Sequence, residues 1–349
     1  MRLLFVLLSS LAVAVAVADG KDDAPEKVPL FEDDEIVKVT LTAPFDEIQN
    51  SGTSEEELPG KLVYVDDSGN EVTLEIKIRG RGKFRRERMS CDIPPLRLNF
   101  RKSNETLFAN VDKIKLVTHC ENRSSVFEQV VYKEYLAYRI FNILTDWSFR
   151  VRLLEVRYVE ATKGKEIAYA PAFLIEDDKQ LARRIGMERD DAKSTSITAL
   201  DGRHTNLGSL FQYFIGNTDF SPIKGPPGES CCHNYVLFRN DNTRIAVPYD
   251  FDVTGLVNPP YAKPNPRLGI KSVKQRRYRG RCVNNDYVAD NLELFRSRKA
   301  AIFELLDNLQ GLHKPERRSA KHFIDEFYDI IDSEKRLNFR IIEACLGGR

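Results

Sequence analysis

Five short segments between Glu35 and Thr118 alternate apolar and polar residues with a period of two, and this pattern limits the first third of the chain to half-buried β structure. They read EIVKVTLTA (35–43), KLVYV (61–65), EVTLEIKI (71–78), PLRLNF (95–100) and KIKLVT (113–118), with turn-forming residues such as DDSGN between them. A mostly antiparallel sheet is the expected product. At Ser125 the period changes. Phe127, Val130, Val131, Tyr138, Phe141 and Leu144 form one apolar stripe of a helix running to about Asp146, and Ser125 with Glu128 has the spacing of a capping box. Glu134 falls on the same face, where a carboxylate needs a cationic partner.

Two further strands are expected at 151–159 and 167–176, followed by a polar region (177–205), a helix around 207–215, and helical stretches near 290–312 and 315–346. The chain has 349 residues, 42% hydrophobic and 30% charged, enough for a substantial core. The expectation is an α+β chain with an N-terminal antiparallel sheet lobe carrying one long helix (35–176) and a mostly helical C-terminal lobe (177–349).

Arg2 followed by LLFVLLSSLAVAVAVA reads as a secretory signal over 1–18, cleaved after Ala18, and 19–34 reads as an acidic, mobile leader. The apolar run is short for a spanning helix, so a secreted, periplasmic or cell-surface protein without a stable membrane span is expected. Six cysteines then imply disulfides. Cys91 with Cys120, and Cys282 with Cys231 or Cys232, are the pairings considered. Zinc held by Cys231, Cys232, His233 and Cys282 is the weaker reading, because the spacing matches no usual ligand pattern. The net charge of +1 gives no reason to expect a nucleic-acid partner. Two basic runs, RGRGKFRRER (79–88) and RRYRGR (276–281), suit phosphate or an acidic protein partner, or else form solvated loops.

The segment 211–255 carries the chemistry. It reads FQYFIGNTDFSPIKGPPGESCCHNYVLFRNDNTRIAVPYDFDVTG, with Asp219, Asn234, Asp250 and Asp252 set around apolar strands. NYVLFR and TRIAVPYD, joined by Asn240, Asp241 and Asn242, predict a hairpin that brings Asn234 and Asp250 to neighbouring strand ends. A base, an amide and a carboxylate in this order suit phosphoryl transfer, which needs positioning and charge neutralisation more than covalent help. Magnesium prefers such hard oxygen ligands and takes only one or two carboxylates from the protein.

GNTDFS, HNYVLF and VPYDFDVTG resemble the catalytic segment of the spore coat protein H (CotH) family and, more distantly, HipA-type atypical kinases. IKIRGRGKF (76–84) is similar to that family's glycine-containing strand and loop. The resemblance spans roughly residues 76–255. It implies a two-lobed protein-kinase-like fold, ATP and magnesium as cofactors, Asp219 as catalytic residue, and Asn234, Asp250 and Asp252 at the metal. Gly80 and Gly82 would close over phosphates, Arg97 or Lys115 would contact them, Glu134 would pair with that cation, and the segment ending at Glu176 would hold the adenine.

An exported kinase acting on a Ser, Thr or Tyr hydroxyl of a protein is the function implied. The sequence departs from the family pattern in the insertion SPIKGPPGESCC (221–232) and in Arg97, which stands where a Lys-rich segment is common. Alternatives are a catalytically degenerate pseudokinase or binding protein, and transfer of AMP. A carbohydrate-active enzyme is weaker, because Asp250 and Asp252 lack a facing acid. The loop 253–273, rich in Pro and aromatic residues, is expected either to position the acceptor or to serve as surface packing.

Overall fold

The computed structural model describes residues 27–82, 91–101 and 103–347. The expected leader peptide, residues 19–26 of the acidic segment and residues 83–88 of the first basic run lie outside the described residues.

Strands β1 (Val37–Ala43), β2 (Leu58–Val65), β3 (Glu71–Gly80), β4 (Leu96–Phe100), β5 (Lys113–Val117), β6 (Val151–Glu160) and β7 (Lys165–Ile175) form a closed barrel in the order β1-β2-β3-β4-β5-β7-β6. All neighbours are antiparallel except β1 and β6, which run parallel from Val37 opposite Leu154 to Ala43 opposite Glu160. This seam overturns the expected open antiparallel sheet lobe. A strand alternation pattern fixes which side chains face inward but not which strands pair, and the parallel seam leaves β1 and β6 no unpaired edge. Leu41, Leu62, Ile76, Leu98, Ile114, Leu154 and Val156 fill the barrel interior.

The α-helices among the described residues are α1 (Phe45–Asn50), α2 (Ser125–Leu144), α3 (Asp178–Arg184), α4 (Gly202–Ile215), α5 (Val288–Asn308), α6 (Lys314–Ile331) and α7 (Glu334–Leu337). A separate three-stranded sheet joins β8 (Glu188–Arg189), β9 (Tyr235–Arg239) and β10 (Arg244–Pro248) in the order β10-β9-β8. Helix α2 does not belong to a sheet lobe. Its Val131, Leu136, Ile140 and Phe141 share one apolar core with Leu153, Phe173 and Ile175 of the barrel wall and with Phe211, Leu292 and Ile324 of the C-terminal helices. The two-lobed kinase-like architecture is therefore replaced by a closed barrel whose outer wall is packed, through α2, onto a helical layer.

Two local expectations also change. Ser124, not Ser125, precedes the first turn of α2, and its side chain makes no capping bond. Residues 27–34 are docked: Leu30 is fully buried, Phe31 packs with it in the barrel core, and the buried Arg152 donates to the Leu30 carbonyl and pairs with Asp33. Apolar side chains at the barrel mouth and nearby arginines explain why this acidic segment packs. No helix among the described residues is long and apolar enough to cross a membrane.

Helix α4 positions the chemistry-bearing loop. The Asp201 carboxylate caps its start by accepting the His204 N–H at 2.7 Å, and Gly216 ends it with φ +69°. A Cβ at Gly216 would meet the Phe323 ring at 2.9 Å and Gly255 Cα at 3.2 Å. This close approach lets Gly255 and Leu256 donate to the Gly216 and Ile215 carbonyls, tying the segment after Asp250 to the helix that precedes Asp219.

His204 itself is buried against Phe141 and Trp147, and desolvation lowers its pKa from 6.5 to about 4. Because the folded form resists protonation, its contribution to stability is complete above pH 6.5 and is lost as pH falls toward 4. The shift corresponds to about 3 kcal/mol. Unfolding free energies from urea titrations at pH 7 and pH 4.5 should therefore differ less in His204→Gln than in the parent chain. An equal pH dependence in both would contradict this assignment.

Candidate active site

The β9–β10 hairpin places Asn234 and Asp250 at adjacent ends. Pro248 pairs with Tyr235, and the Tyr249 N–H donates to the Asn234 carbonyl at 3.1 Å. Both residues leave their strands with positive φ, +55° at Asn234 and +63° at Asp250. Asn and Asp tolerate the left-handed region better than other side chains, so residue type and backbone agree here. The Asp250 N–H donates to the Tyr138 hydroxyl at 2.8 Å. Burial, followed by the nearby Glu134 charge, raises the Tyr138 pKa well above its ordinary value, so this hydroxyl stays protonated. Tyr138 lies one turn after Glu134 on α2, and the helix thus supports the hairpin end directly.

Asp219 is held at every side. Its N–H donates to Asn217 Oδ1 at 2.8 Å, its carbonyl accepts from Asn234 Nδ2 at 2.7 Å, and its Oδ1 meets His233 Nε2 at 2.9 Å. The His233 hydrogen bond holds the Asp219 carboxyl below the usual carboxylate range, and the same bond raises the His233 pKa. Backbone bonds in both directions between Ser221 and His233 close the intervening loop and bring His233 back to Asp219.

Asp219, Asn234, Asp250, Asp252, Glu134 and Gly82 line one cavity of about 730 Å³, together with Arg81, His233, Tyr261 and Lys263. Glu134 is only 2% exposed. Asp252 Oδ2 accepts from the Tyr261 hydroxyl at 2.9 Å. Gly82, with φ +81°, turns the chain after β3 so that Arg81 and Gly82 reach the cavity wall.

The other expected site residues lie apart. Gly80 ends β3. Arg97 pairs with Asp177 at 3.6 Å, and Lys115 pairs with Asp178 at 3.2 Å while lying over the Tyr249 ring at 5.1 Å. Glu176 pairs with Arg184 at 2.8 Å and lines a different cavity of about 210 Å³ with Lys27, Arg150 and Gln180. Arg97, Lys115 and Glu176 thus have ion-pair partners outside this cavity's lining, and the Arg and Lys residues lining it among the described residues are Arg81 and Lys263.

Several participants were not singled out from sequence. His233 is readable only as a zinc ligand, and Tyr261 and Lys263 only as members of the loop 253–273. The adjacency of His233 to Asn234 was the available signal for the first. The cysteines are paired as Cys91–Cys120, Cys231–Cys232 and Cys282–Cys345, and the zinc set is not gathered into one group among the described residues. The first pairing agrees with expectation, whereas Cys282 bonds Cys345 and not the adjacent pair.

Among the described residues no three His, Cys, Asp or Glu side chains are gathered into a metal-binding group. Of the four carboxylates lining the cavity, Asp250 and Asp252 are the two expected at a metal, beside the Asn234 amide, whose Nδ2 is committed to Asp219 and which leaves Oδ1 as its acceptor. An all-oxygen set with few protein ligands fits magnesium, which keeps water and phosphate in its remaining positions. No protein-family model, no curated protein and no solved structure matches this chain.

Proposed function

We propose that the cavity is the active site of an exported phosphotransferase, which moves a phosphoryl group from magnesium-bound ATP to a Ser, Thr or Tyr hydroxyl of a protein, as the likeness to the CotH family implies. The carrying observation is that Asp219, Asn234 and Asp250, from three separate segments, line one cavity large enough for a nucleotide. Asp219 is the residue to orient the acceptor hydroxyl and take its proton. Its carboxylate is ionised over the ordinary pH range and fixed by His233. Asn234 and Asp250 would hold magnesium, with Asp252 assisting, and the ion would neutralise phosphate charge. Arg81 and the backbone at Gly82, in the lining of the same cavity, would supply positive charge and donors to phosphate.

One observation favours a second reading, nucleotide binding without transfer: Lys115 is committed to Asp178 and Tyr249. Thermal unfolding with ATP, with magnesium, and with both separates the cases. A ligand at a hundred times its Kd stabilises the native state by about 2.7 kcal/mol, so a clear rise in Tm is expected only when ATP and magnesium are present together. No rise would overturn both readings. Mass analysis of an acceptor protein incubated with ATP and magnesium then distinguishes added phosphate, added AMP and no product.

A further inference from the structure

The run RRYRGR (276–281) does not form the exposed basic surface expected of it. The Arg276 side chain is 5% exposed, lies over the Phe323 ring at 3.7 Å, and donates to the Phe214 carbonyl at the end of α4. Arg279 turns inward as well. Its Nη1 donates to the Thr218 carbonyl and, at 3.0 Å, to the Phe220 carbonyl, the carbonyls of the residues before and after Asp219. Its guanidinium lies over the Phe220 ring at 4.9 Å.

We infer that Arg279 is a positioning residue that sets the orientation of Asp219 toward the acceptor. The inference rests on the phosphotransfer reading of the cavity. A loop residue three positions beyond a helix end has no ladder to fix its peptide planes. Here the Asp219 N–H and carbonyl are held by Asn217 and Asn234, and one guanidinium spans the carbonyls on either side. Together these contacts leave the loop little rotational freedom. A single planar cation with several donors in fixed geometry can bridge two carbonyls on opposite sides of a residue, which a lysine ammonium on a flexible stem does less well. Since Arg279 reaches these carbonyls from outside the cavity lining, its loss should affect turnover more than nucleotide binding.

The test compares Arg279→Met, Arg279→Lys and, as a control from the same run, the exposed Arg277→Gln. Misplacing a reacting group by about 1 Å costs about 100-fold, so Arg279→Met is expected to lower kcat by about that factor while the KM for magnesium-ATP stays within about twofold. Arg279→Lys should recover part of kcat, and Arg277→Gln should match the parent chain. Amide exchange at 218–221 should accelerate about tenfold in Arg279→Met and less in Arg279→Lys.

Unchanged exchange, kcat within about threefold of the parent, or a parallel loss of kcat and nucleotide affinity would each overturn the inference. If Arg279→Met does not fold, Arg279→Lys decides by the same criteria. The two readings fail separately. A parent chain that neither binds magnesium-ATP nor transfers phosphate removes the phosphotransfer reading, while the exchange result still decides whether Arg279 fixes the Asp219 loop.

Discussion

Asp250→Asn is expected to lower phosphoryl transfer on the order of a thousandfold, the scale on which losing one electrostatic contact to a transferring group acts. It should also remove most of the magnesium-dependent rise in Tm with ATP. The substitution isolates charge from backbone. Asn accepts the left-handed conformation that Asp250 adopts at φ +63°, and the N–H bond to the Tyr138 hydroxyl survives because it uses the main chain. The backbone geometry at this end of the hairpin should therefore be kept. Asp250→Ala is a less clean probe, since a side chain without local hydrogen bonding in that region adds about 1 kcal/mol of strain. Initial rates with a protein acceptor, together with melting curves for both proteins, make the comparison. Retention of a tenth or more of parental activity would rule out Asp250 as a ligand in the reaction.

The legible part of the site was the part written in one continuous segment. Asp219, Asn234, Asp250 and Asp252 could be read because a hairpin with a polar turn fixes where its ends meet, and the structure has that hairpin with Asn234 and Asp250 at its end. Glu134 was readable from helical period alone. The cations were not. Arg97 and Lys115 lie on strands whose alternation gives the face of each side chain but not its partner, and their partners, Asp177 and Asp178, lie at the start of α3 inside a region read as merely polar. A carboxylate pair at the start of a capped helix engages both cations, and no local pattern in β4 or β5 encodes that.

Arg276 and Arg279 illustrate the same limit from the other direction. Composition alone makes a run of arginines look like a surface. Arg276 and Arg279 turn inward because helix α4 ends in carbonyls that need donors and because Phe220 and Phe323 offer ring faces to the guanidinium groups. The fold shows a related division. Alternation identified the barrel strands from β1 to β7 to within a few residues, since inward and outward positions are properties of one strand. Closure is a property of two. Nothing in EIVKVTLTA announces that its second partner is VRLLEVRYV, more than a hundred residues later.

Closure of the barrel carries the largest stability prediction. Leu41 sits at the centre of β1, opposite Leu62 of β2 on one side and opposite Tyr158 of β6 on the other, and is 1% exposed. If β1 were the edge of an open sheet, its inward leucine would be covered from one flank only, and truncation would cost about 1 kcal/mol, as for a half-buried methylene pair. In the closed barrel the neighbours are fixed by strand pairing on both sides and cannot collapse into the space left behind. Leu41→Ala should therefore cost 2–5 kcal/mol, the range for leucine removed from a packed interior. Thr40, on the outer face of the same strand, is the control, and Thr40→Ala should stay within about 1 kcal/mol of the parent. Urea midpoints with unchanged m-values report the two costs directly. A cost for Leu41→Ala as small as that for Thr40→Ala would mean that β1 lacks its β6 partner in solution. The barrel wall against which α2 carries Glu134 and Tyr138 to the cavity would then be open.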